Sequence, residues 1–341
     1  MPTPPPTPHT RTAELAAGAD PWTLSVLAPA KINLHLEVLG LRPDGFHELA
    51  MVMQSLDLAD RLRIRPRSDR DLRLRCDSAE LSVGDDNLIL RAARALRDWA
   101  RQRQALDLPG MELELFKRIP IGAGLAGGSS DAAAALVGLR SAWQLDCEDD
   151  ALRQLAEGLG SDVPFCLDGG TQLCFGRGER LEVPRGMPQP PGFGVLLIKH
   201  PAVQVSTPWA YGQCRDQRGD DYLSDEHDFE QRRQALRQGP LLAALRGERP
   251  LPPLRNDLQS VVEPQVASVA DGLALLRGAD GVLAAAMSGS GPSLFGLFAT
   301  PAAAAAARER LAAPLTAAGF EAWCCRCEAG GARLIPEELP E

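Results

Sequence analysis

The sequence is poor in two residue types. Only Lys31, Lys117 and Lys199 are lysine among 36 basic residues, the remainder being arginine, and asparagine occurs only at Asn33, Asn87 and Asn256. Such a skew fits a genome whose base composition disfavours both residues. A lysine in this background is a mild pointer to chemistry that needs a compact, titratable ammonium rather than a planar guanidinium, although chance at the surface is the plainer account of any one of them. Net positive charge is also missing: 45 acidic residues leave a formal charge of −9. That argues against a nucleic-acid binder, which needs a basic face to displace counterions. No apolar run reaches the roughly 18 residues of a membrane span. The first residues, MPTPPPTPHTRTAELAAG, lack the basic and apolar regions of a signal peptide. Residues 1–21 are expected to be a flexible extension. The eight cysteines include a cluster at Cys324, Cys325 and Cys327, but no histidine lies near it to complete a zinc site. Buried thiols in a reducing compartment are the simpler reading, so a cytoplasmic protein with no membrane partner is expected.

What is present is a chain of 341 residues, 45% hydrophobic. At about 150 residues per domain, that is two domains with real cores. The segment TLSVLAPAKINLHLEVL alternates from residue 31 onward, with Ile32, Leu34, Leu36 and Val38 on one side and Lys31, Asn33, His35 and Glu37 on the other. Period two predicts a half-buried strand presenting Lys31 and Asn33 together. Pro43-Asp44-Gly45 predicts a turn just before Phe46 and His47. Residues 61–75 carry seven arginines among alternating leucines and isoleucine, which predicts a hairpin with a solvated charged face. Asp86 is a candidate cap for a helix that follows it, and MELELFKR (111–118) reads as a strand. Farther on, 224–247 reads as polar, peripheral helix, Asn256 to Arg277 as one long helix, and EAWCCRC as the final strand. MPQPPG (187–192) is the best linker candidate. Strands and helices mix in both halves, so the fold is α/β or α+β, not a bundle or sandwich.

The strongest local signal is Pro120-Ile121-Gly122-Ala123-Gly124-Leu125-Ala126-Gly127-Gly128-Ser129-Ser130, which runs into an alanine-rich helix. Glycines let backbone approach an anion closely. The free amides of a helix start then donate to phosphate oxygens, aided by the helix dipole. Ser129 and Ser130 add hydroxyls that can also lie close to a phosphate-bound Mg²⁺. No Gly-Lys-Ser/Thr follows, so this is not a Walker A loop, and no ribose-binding acid about 20 residues on completes a dinucleotide fold. A second loop, Ser288-Gly289-Ser290-Gly291-Pro292, sits between two apolar segments, and two such loops could bracket a polyphosphate. Asp162 alone reads first as a helix cap, and Lys31 alone as a solvated strand lysine.

Taken together, APAKINLHL, PIGAGLAGGSSDAA, GLGSDVPF and MSGSGPSLF resemble the GHMP kinase superfamily, which includes galactokinase, homoserine kinase and mevalonate kinase. The resemblance runs from about residue 24 to 330. It implies a two-domain α+β fold: an N-terminal α/β ATP-binding domain (22–186), a ferredoxin-like C-terminal domain (187–335) and an active site between them. ATP and Mg²⁺ are the implied cofactors, with no metal ligand assigned with certainty. Residues 120–130 would hold the ATP phosphates. Asp162 would take up or orient the acceptor hydroxyl proton with Lys31 beside it, which suits phosphoryl transfer. PAKINL, RPDGFHEL, LGSDVPF and STPWAY narrow the likeness to a member whose acceptor carries a cytidine diphosphate. That acceptor is 4-diphosphocytidyl-2-C-methyl-D-erythritol, phosphorylated on its 2-hydroxyl in the non-mevalonate route to isoprenoids. The base would stack between Phe46 and Tyr211, with His47 at its edge, and Asn33 and Thr207 would contact the remainder. Phe46 departs from the tyrosine usual there, so stacking is kept and a phenol contact is lost. A homodimer is compatible with this likeness. The alternatives are another GHMP kinase acting on homoserine, a sugar or a mevalonate-type alcohol, or a catalytically dead nucleotide-binding regulator.

Overall fold

A computed structural model describes residues 22–187 and 190–336. The expected extension, 1–21, lies outside the described residues, as does part of the segment 187–192. The chain begins with β1 (Leu24–Leu41) and β2 (His47–Pro66), a long hairpin closed by the expected turn. β3 (Leu72–Cys76) does not fold back on β2. After α1 (Leu88–Gln104), β4 (Met111–Phe116) inserts between them, antiparallel to β2 and parallel to β3. Both flanking strands are arginine-rich, and Arg65 and Arg75 each reach Glu112 of β4, at 2.5 and 2.8 Å. The helix α1 supplies the crossover that parallel pairing requires. It is capped by Asn87, whose Oδ1 accepts the Ile89 N–H at 2.9 Å, and not by Asp86, which accepts the Ser82 hydroxyl.

The glycine-rich loop leads into α2 (Gly127–Ala142), followed by α3 (Asp149–Leu159), α4 (Val163–Asp168) and the hairpin of β5 (Thr171–Gly176) and β6 (Arg180–Glu182). The second half runs β7 (Gly194–Lys199), α5 (Thr207–Arg218), α6 (Glu226–Arg237), α7 (Pro240–Leu245), β8 (Arg255–Asn256), α8 (Gln259–Val262), α9 (Ala267–Arg277), β9 (Val282–Met287), β10 (Leu294–Phe298), α10 (Pro301–Ala317), β11 (Glu321–Arg326) and β12 (Arg333–Ile335). One sheet follows the path β12-β1-β2-β4-β3, with β5 and β6 continuing from β2 and β8 added to β1; the other is β11-β7-β10-β9. The expected long helix over 256–277 is therefore three elements. Asn256 belongs to a strand, and Pro264, which has no amide to donate, falls in the break between α8 and α9. EAWCCRC is not the last strand, because β12 returns to pair with β1. The segment 224–247 is not peripheral either: α6 and α7 bury Phe229, Leu236, Leu241, Leu242 and Leu245.

β1 corrects the simplest sequence expectation. It is buried on both faces, and its pairing with β2 shifts register between Asn33 and His35. A bulge of this kind rotates the following side chains to the opposite face. Ile32 and Leu34 join one core cluster, whereas Leu36 and Val38 join the other. Lys31 and Asn33 consequently share a face with Leu36, not with His35 and Glu37.

α2 lies directly under this sheet because its inner residues are small. A Cβ at Gly138 would meet Ile64 Cδ1 at 2.4 Å and Val26 Cγ2 at 2.8 Å. Gly138→Val should therefore cost about 1–3 kcal/mol of stability through overpacking, read as a lower urea midpoint at unchanged slope. A midpoint equal to that of the unsubstituted protein would show that the helix can move away freely.

Candidate active site

The site is assembled on β1. The Lys31 backbone N–H donates to Leu125 O of the glycine-rich loop at 3.1 Å. Its ammonium donates to Asn33 Oδ1 at 2.8 Å and to Gly124 O at 3.1 Å, and lies 3.6 Å from Asp162 Oδ2. The loop is shaped by left-handed residues at Gly122, Gly124 and Ala126, with φ of 61°, 72° and 56°. α2 has Ala126 at its cap position and no side-chain cap, so its first amides keep their capacity for a ligand. The second Gly/Ser loop packs onto the first. Ser288 Oγ donates to the same Gly124 carbonyl at 3.1 Å, and a Cβ on Gly124 would meet Ser288 O at 2.4 Å. The two loops are thus in direct contact. Asn256 holds the second in place, donating from Nδ2 to Met287 O at 2.7 Å and Gly289 O at 2.9 Å.

Asp162 sits where a cap residue would, just ahead of α4, but its side chain makes no capping bond. One physical reason is at the second helical position: Pro164 has no N–H for a cap to accept. The carboxylate is left for Lys31 and for the adjoining cavity.

Two cavities flank the loop. One, about 410 Å³, is bounded by residues 120–128 together with Ser82, Asn87, Lys117 and Asp131. The other, about 630 Å³, contains Lys31, Asn33, Phe46, His47, Ser129, Asp162, Thr207 and Tyr211 in its wall. Gly124 and Ala126 line both. All the residues expected to touch the acceptor therefore meet in one place, with finer differences. Asn33 spends its carbonyl on Lys31 and turns Nδ2 toward Met51 Sδ, so it orients the lysine. The Thr207 hydroxyl is shared with Ser290, 2.8 Å away. Tyr211 stacks on His47, with centroids 4.9 Å apart, and Phe46 lies beneath the Arg177 guanidinium at 5.0 Å. Burial, aided by Arg215, pushes the His47 imidazole down from its ordinary value, which favours the neutral ring, and its Nε2 is buried without a hydrogen-bond partner.

Ser130 is a correction. Its side chain is fully buried and donates to Pro29 O at 2.7 Å, while its N–H bonds Ala126 O. It braces the loop, and its buried hydroxyl lines neither of the two cavities.

Several residues escaped sequence reasoning. Arg177 reads as a turn residue between two glycines, and nothing local betrays that it reaches the cavity. Asp60, Lys117 and Asp131 form a buried cluster under the loop. Lys117 Nζ donates to Asp60 and, at 2.8 Å, to Asp131 Oδ2. Asp60 Oδ1 accepts the N–H groups of Arg118 and Ile119 at 2.5 and 2.9 Å. Desolvation works against the Lys117 ammonium, but Asp131 and Asp60 outweigh it and raise its pKa; burial raises that of Asp131 despite the lysine. The scarcity of lysine was the one available signal. Lys117→Met would leave two buried carboxylates facing each other. Loss of one partner of a buried pair costs about 3–5 kcal/mol, so chemical denaturation should show a loss of that size. A loss below about 1 kcal/mol would mean the cluster does not brace the loop.

Comparison with known proteins places this geometry. The model of the GHMP kinases N terminal domain matches residues 87–170, and that of the GHMP kinases C terminal domain matches 233–317. The 4-diphosphocytidyl-2-C-methyl-D-erythritol kinase of Synechococcus sp. (strain CC9605) is 58% identical over 91% of this chain and 99% of its own length. The protein of the same name from Prochlorococcus marinus (strain MIT 9313) is 56% identical over 92% of this chain and 96% of its own. A crystal structure of 4-(cytidine 5'-diphospho)-2C-methyl-D-erythritol kinase superposes with a TM-score of 0.67 at 34% identity, covering 90% of this chain and all of that one. Homoserine kinase from Cytophaga hutchinsonii reaches 0.68 at 20% identity, over 94% of this chain and 100% of that one, a likeness of fold alone. The two-domain α+β kinase fold is therefore the one expected, and the chain belongs to the 4-diphosphocytidyl-2-C-methyl-D-erythritol kinase family of the GHMP kinases.

Proposed function

We propose that the chain transfers the γ-phosphoryl group of ATP to the 2-hydroxyl of 4-diphosphocytidyl-2-C-methyl-D-erythritol, giving the 2-phosphate and ADP. The reading rests chiefly on two cavities that meet at Gly124 and Ala126, with Lys31 and Asp162 on the acceptor side of the junction. ATP lies in the smaller cavity with its triphosphate along residues 120–129, and the acceptor lies in the larger. Phosphoryl transfer is mostly positioning and charge stabilisation. Asp162 receives the proton of the attacking hydroxyl. Lys31, fixed by Asn33 and Gly124, favours the ionised Asp162 and offsets charge on the transferred group.

At the far end, Tyr211 and Phe46 offer aromatic faces to the base. A shift of the His47–Tyr211 stack would let the buried, unpartnered Nε2 of a neutral His47 donate to or accept from the edge of the base. Arg177 supplies positive charge beside Phe46, suited to the diphosphate. This end favours a cytidyl acceptor over homoserine, a sugar or mevalonate, which have no base to stack. Mg²⁺ fits as an ion carried in on the nucleotide. No cluster of three or more His, Cys, Asp or Glu among the described residues could cage a metal, and Mg²⁺ ordinarily binds through phosphates, water and one or two protein oxygens. It would neutralise phosphate charge, and Ser129 is the hydroxyl left to approach it. We take 22–186 as the ATP-binding unit and 187–335 as its partner, from which β8 and β12 return to pair with β1. Free thiols at all eight cysteines agree with a cytoplasmic location, and no helix among the described residues is long and apolar enough to cross a membrane.

A coupled ADP-release assay should show turnover with the cytidyl acceptor and none with homoserine, galactose or mevalonate; the reverse pattern overturns the assignment. Asp162→Asn should lower kcat at least about a hundredfold, the lower range for loss of a general base, with binding of a non-hydrolysable ATP analogue unchanged. An active variant would remove Asp162 from this role. Lys31→Arg should lose at least about tenfold in kcat/KM, roughly 1.4 kcal/mol, because a planar fork cannot occupy the place of an ammonium held by Asn33 and Gly124. Near-normal kinetics would contradict that.

A further inference from the structure

The sequence between α5 and β8 reads as a polar surface insertion, yet it carries the bulkiest of the fully buried side chains. Arg233 of α6 is 1% exposed. Its guanidinium donates to Glu48 Oε1 at 2.5 Å and to Glu226 Oε1 at 2.5 Å, and reaches Glu230 at 3.3 Å. Glu48 follows His47 directly as the second residue of β2, is not part of the wall of the acceptor cavity, and is itself buried.

Glu48 is the hub of two further connections. Oε1 also accepts the Gly176 N–H at 3.1 Å, and Oε2 accepts from Arg42 Nη1 at 2.9 Å. Arg42 Nε in turn donates to both oxygens of Asp44 at 3.2 Å, and Asp44 Oδ1 accepts the Phe46 N–H at 3.1 Å. Gly176 precedes Arg177, whose guanidinium covers the Phe46 ring. The Asp44 acceptor of the Phe46 amide and the turn that carries Arg177 therefore both touch one carboxylate, and that carboxylate is anchored from behind by Arg233; Glu179 holds Arg177 itself, accepting its N–H at 2.7 Å with the guanidinium 3.8 Å away. Half of Phe46 is exposed, so side-chain packing alone does not place it; the backbone bond from the Arg42 N–H to Phe46 O at 2.7 Å and the chain Asp44–Arg42–Glu48 do.

A buried carboxylate is tolerated only while it is paired and hydrogen-bonded. Without Arg233, Glu48 keeps one amide and Arg42, whose side chain is 28% exposed. The balance then favours Glu48 moving outward with Arg42, which frees the Gly176 turn and alters the path of 42–47. Arg233 is not part of the wall of either cavity beside the glycine-rich loop.

We propose that Arg233 is a positioning residue for the nucleotide end of the acceptor site: acting through Glu48, it locks the 42–47 and 176–178 turns against each other and so sets affinity for a pyrimidine nucleotide. This rests on the reading that the cytidyl group occupies that cavity. A purely structural arginine would, when removed, lower stability or weaken both substrates alike. A positioning arginine weakens one end only, because the ATP cavity shares no residue with this network.

The test compares the full-length protein with Arg233→Met, which keeps bulk and removes charge, and with Arg233→Lys, which restores a point charge. CDP is titrated as the probe of the nucleotide end, and KM is measured for ATP and for the cytidyl acceptor. The expected result is a tenfold or greater weakening of CDP and a matching rise in acceptor KM for Arg233→Met, with KM for ATP within twofold. Arg233→Lys recovers most of the loss. Glu48→Gln, which keeps an acceptor for Gly176, should reproduce the selective loss and serves where Arg233→Met does not fold. Unchanged CDP affinity in a folded variant, or equal losses for ATP and acceptor, overturns the proposal. Failure of the unsubstituted protein to bind CDP overturns the cytidyl reading beneath it, and the proposal with it.

Discussion

The carbonyl of Gly124 is the point on which the site depends. It accepts from the Lys31 ammonium and from the Ser288 hydroxyl, so one atom joins the first strand, the glycine-rich loop and the second Gly/Ser loop. A buried ammonium cannot be left short of acceptors, and Gly124 and Asn33 satisfy it while Asp162 supplies the opposite charge. Left-handed backbone at Gly124 turns this carbonyl inward, and the lack of a side chain there lets Ser288 approach. The same loop then has its outer amides free at the start of α2. Acceptor chemistry on one side and phosphate binding on the other thus share a single rigid element.

In the bracing of that element each scarce residue type recurs. Lys117 ties the entry of the loop to α2 through Asp60 and Asp131, Asn256 carries the second loop, and Asn87 caps α1 beside the smaller cavity. Lys199 is also buried, donating to the carbonyls of His200 and Pro201 at 3.3 and 3.4 Å. All three lysines of the chain are therefore interior, a place where lysine is rarely found. In a background dominated by arginine, each occupies a spot where a compact ammonium meets oxygens at close quarters.

Much of this was legible from sequence because the decisive signals are local. A glycine-serine run before an alanine-rich helix encodes a phosphate loop, and alternation from Lys31 encodes a strand. The partner segments GSDVPF and STPWAY carry their residues on short, recognisable elements, so Asp162, Thr207 and Tyr211 were found with them. What was not legible is non-local. The β1 bulge depends on pairing with β2, so alternation alone put Leu36 on the wrong side. The order β2-β4-β3, in which Glu112 meets arginines from two strands, is set by pairing between segments far apart in the sequence. Arg177 looks like any turn residue, and Ser130 looks like any loop hydroxyl until its bond to Pro29 is seen. The polar composition of α6 suggested a solvated face, because a buried arginine with three carboxylate partners has the same sequence signature as an exposed ion-pair ladder.

The central claim is that the hydroxyl placed beside Asp162 and Lys31 receives the γ-phosphoryl group. Phosphorus NMR of a reaction containing ATP and 4-diphosphocytidyl-2-C-methyl-D-erythritol tests it most directly. The account predicts a new phosphomonoester signal with no three-bond proton coupling, as an ester on the hydrogen-free C2 requires, and the cytidyl diphosphate intact. A monoester on a different carbon, cleavage of the diphosphate, or ADP release with no new monoester would contradict it.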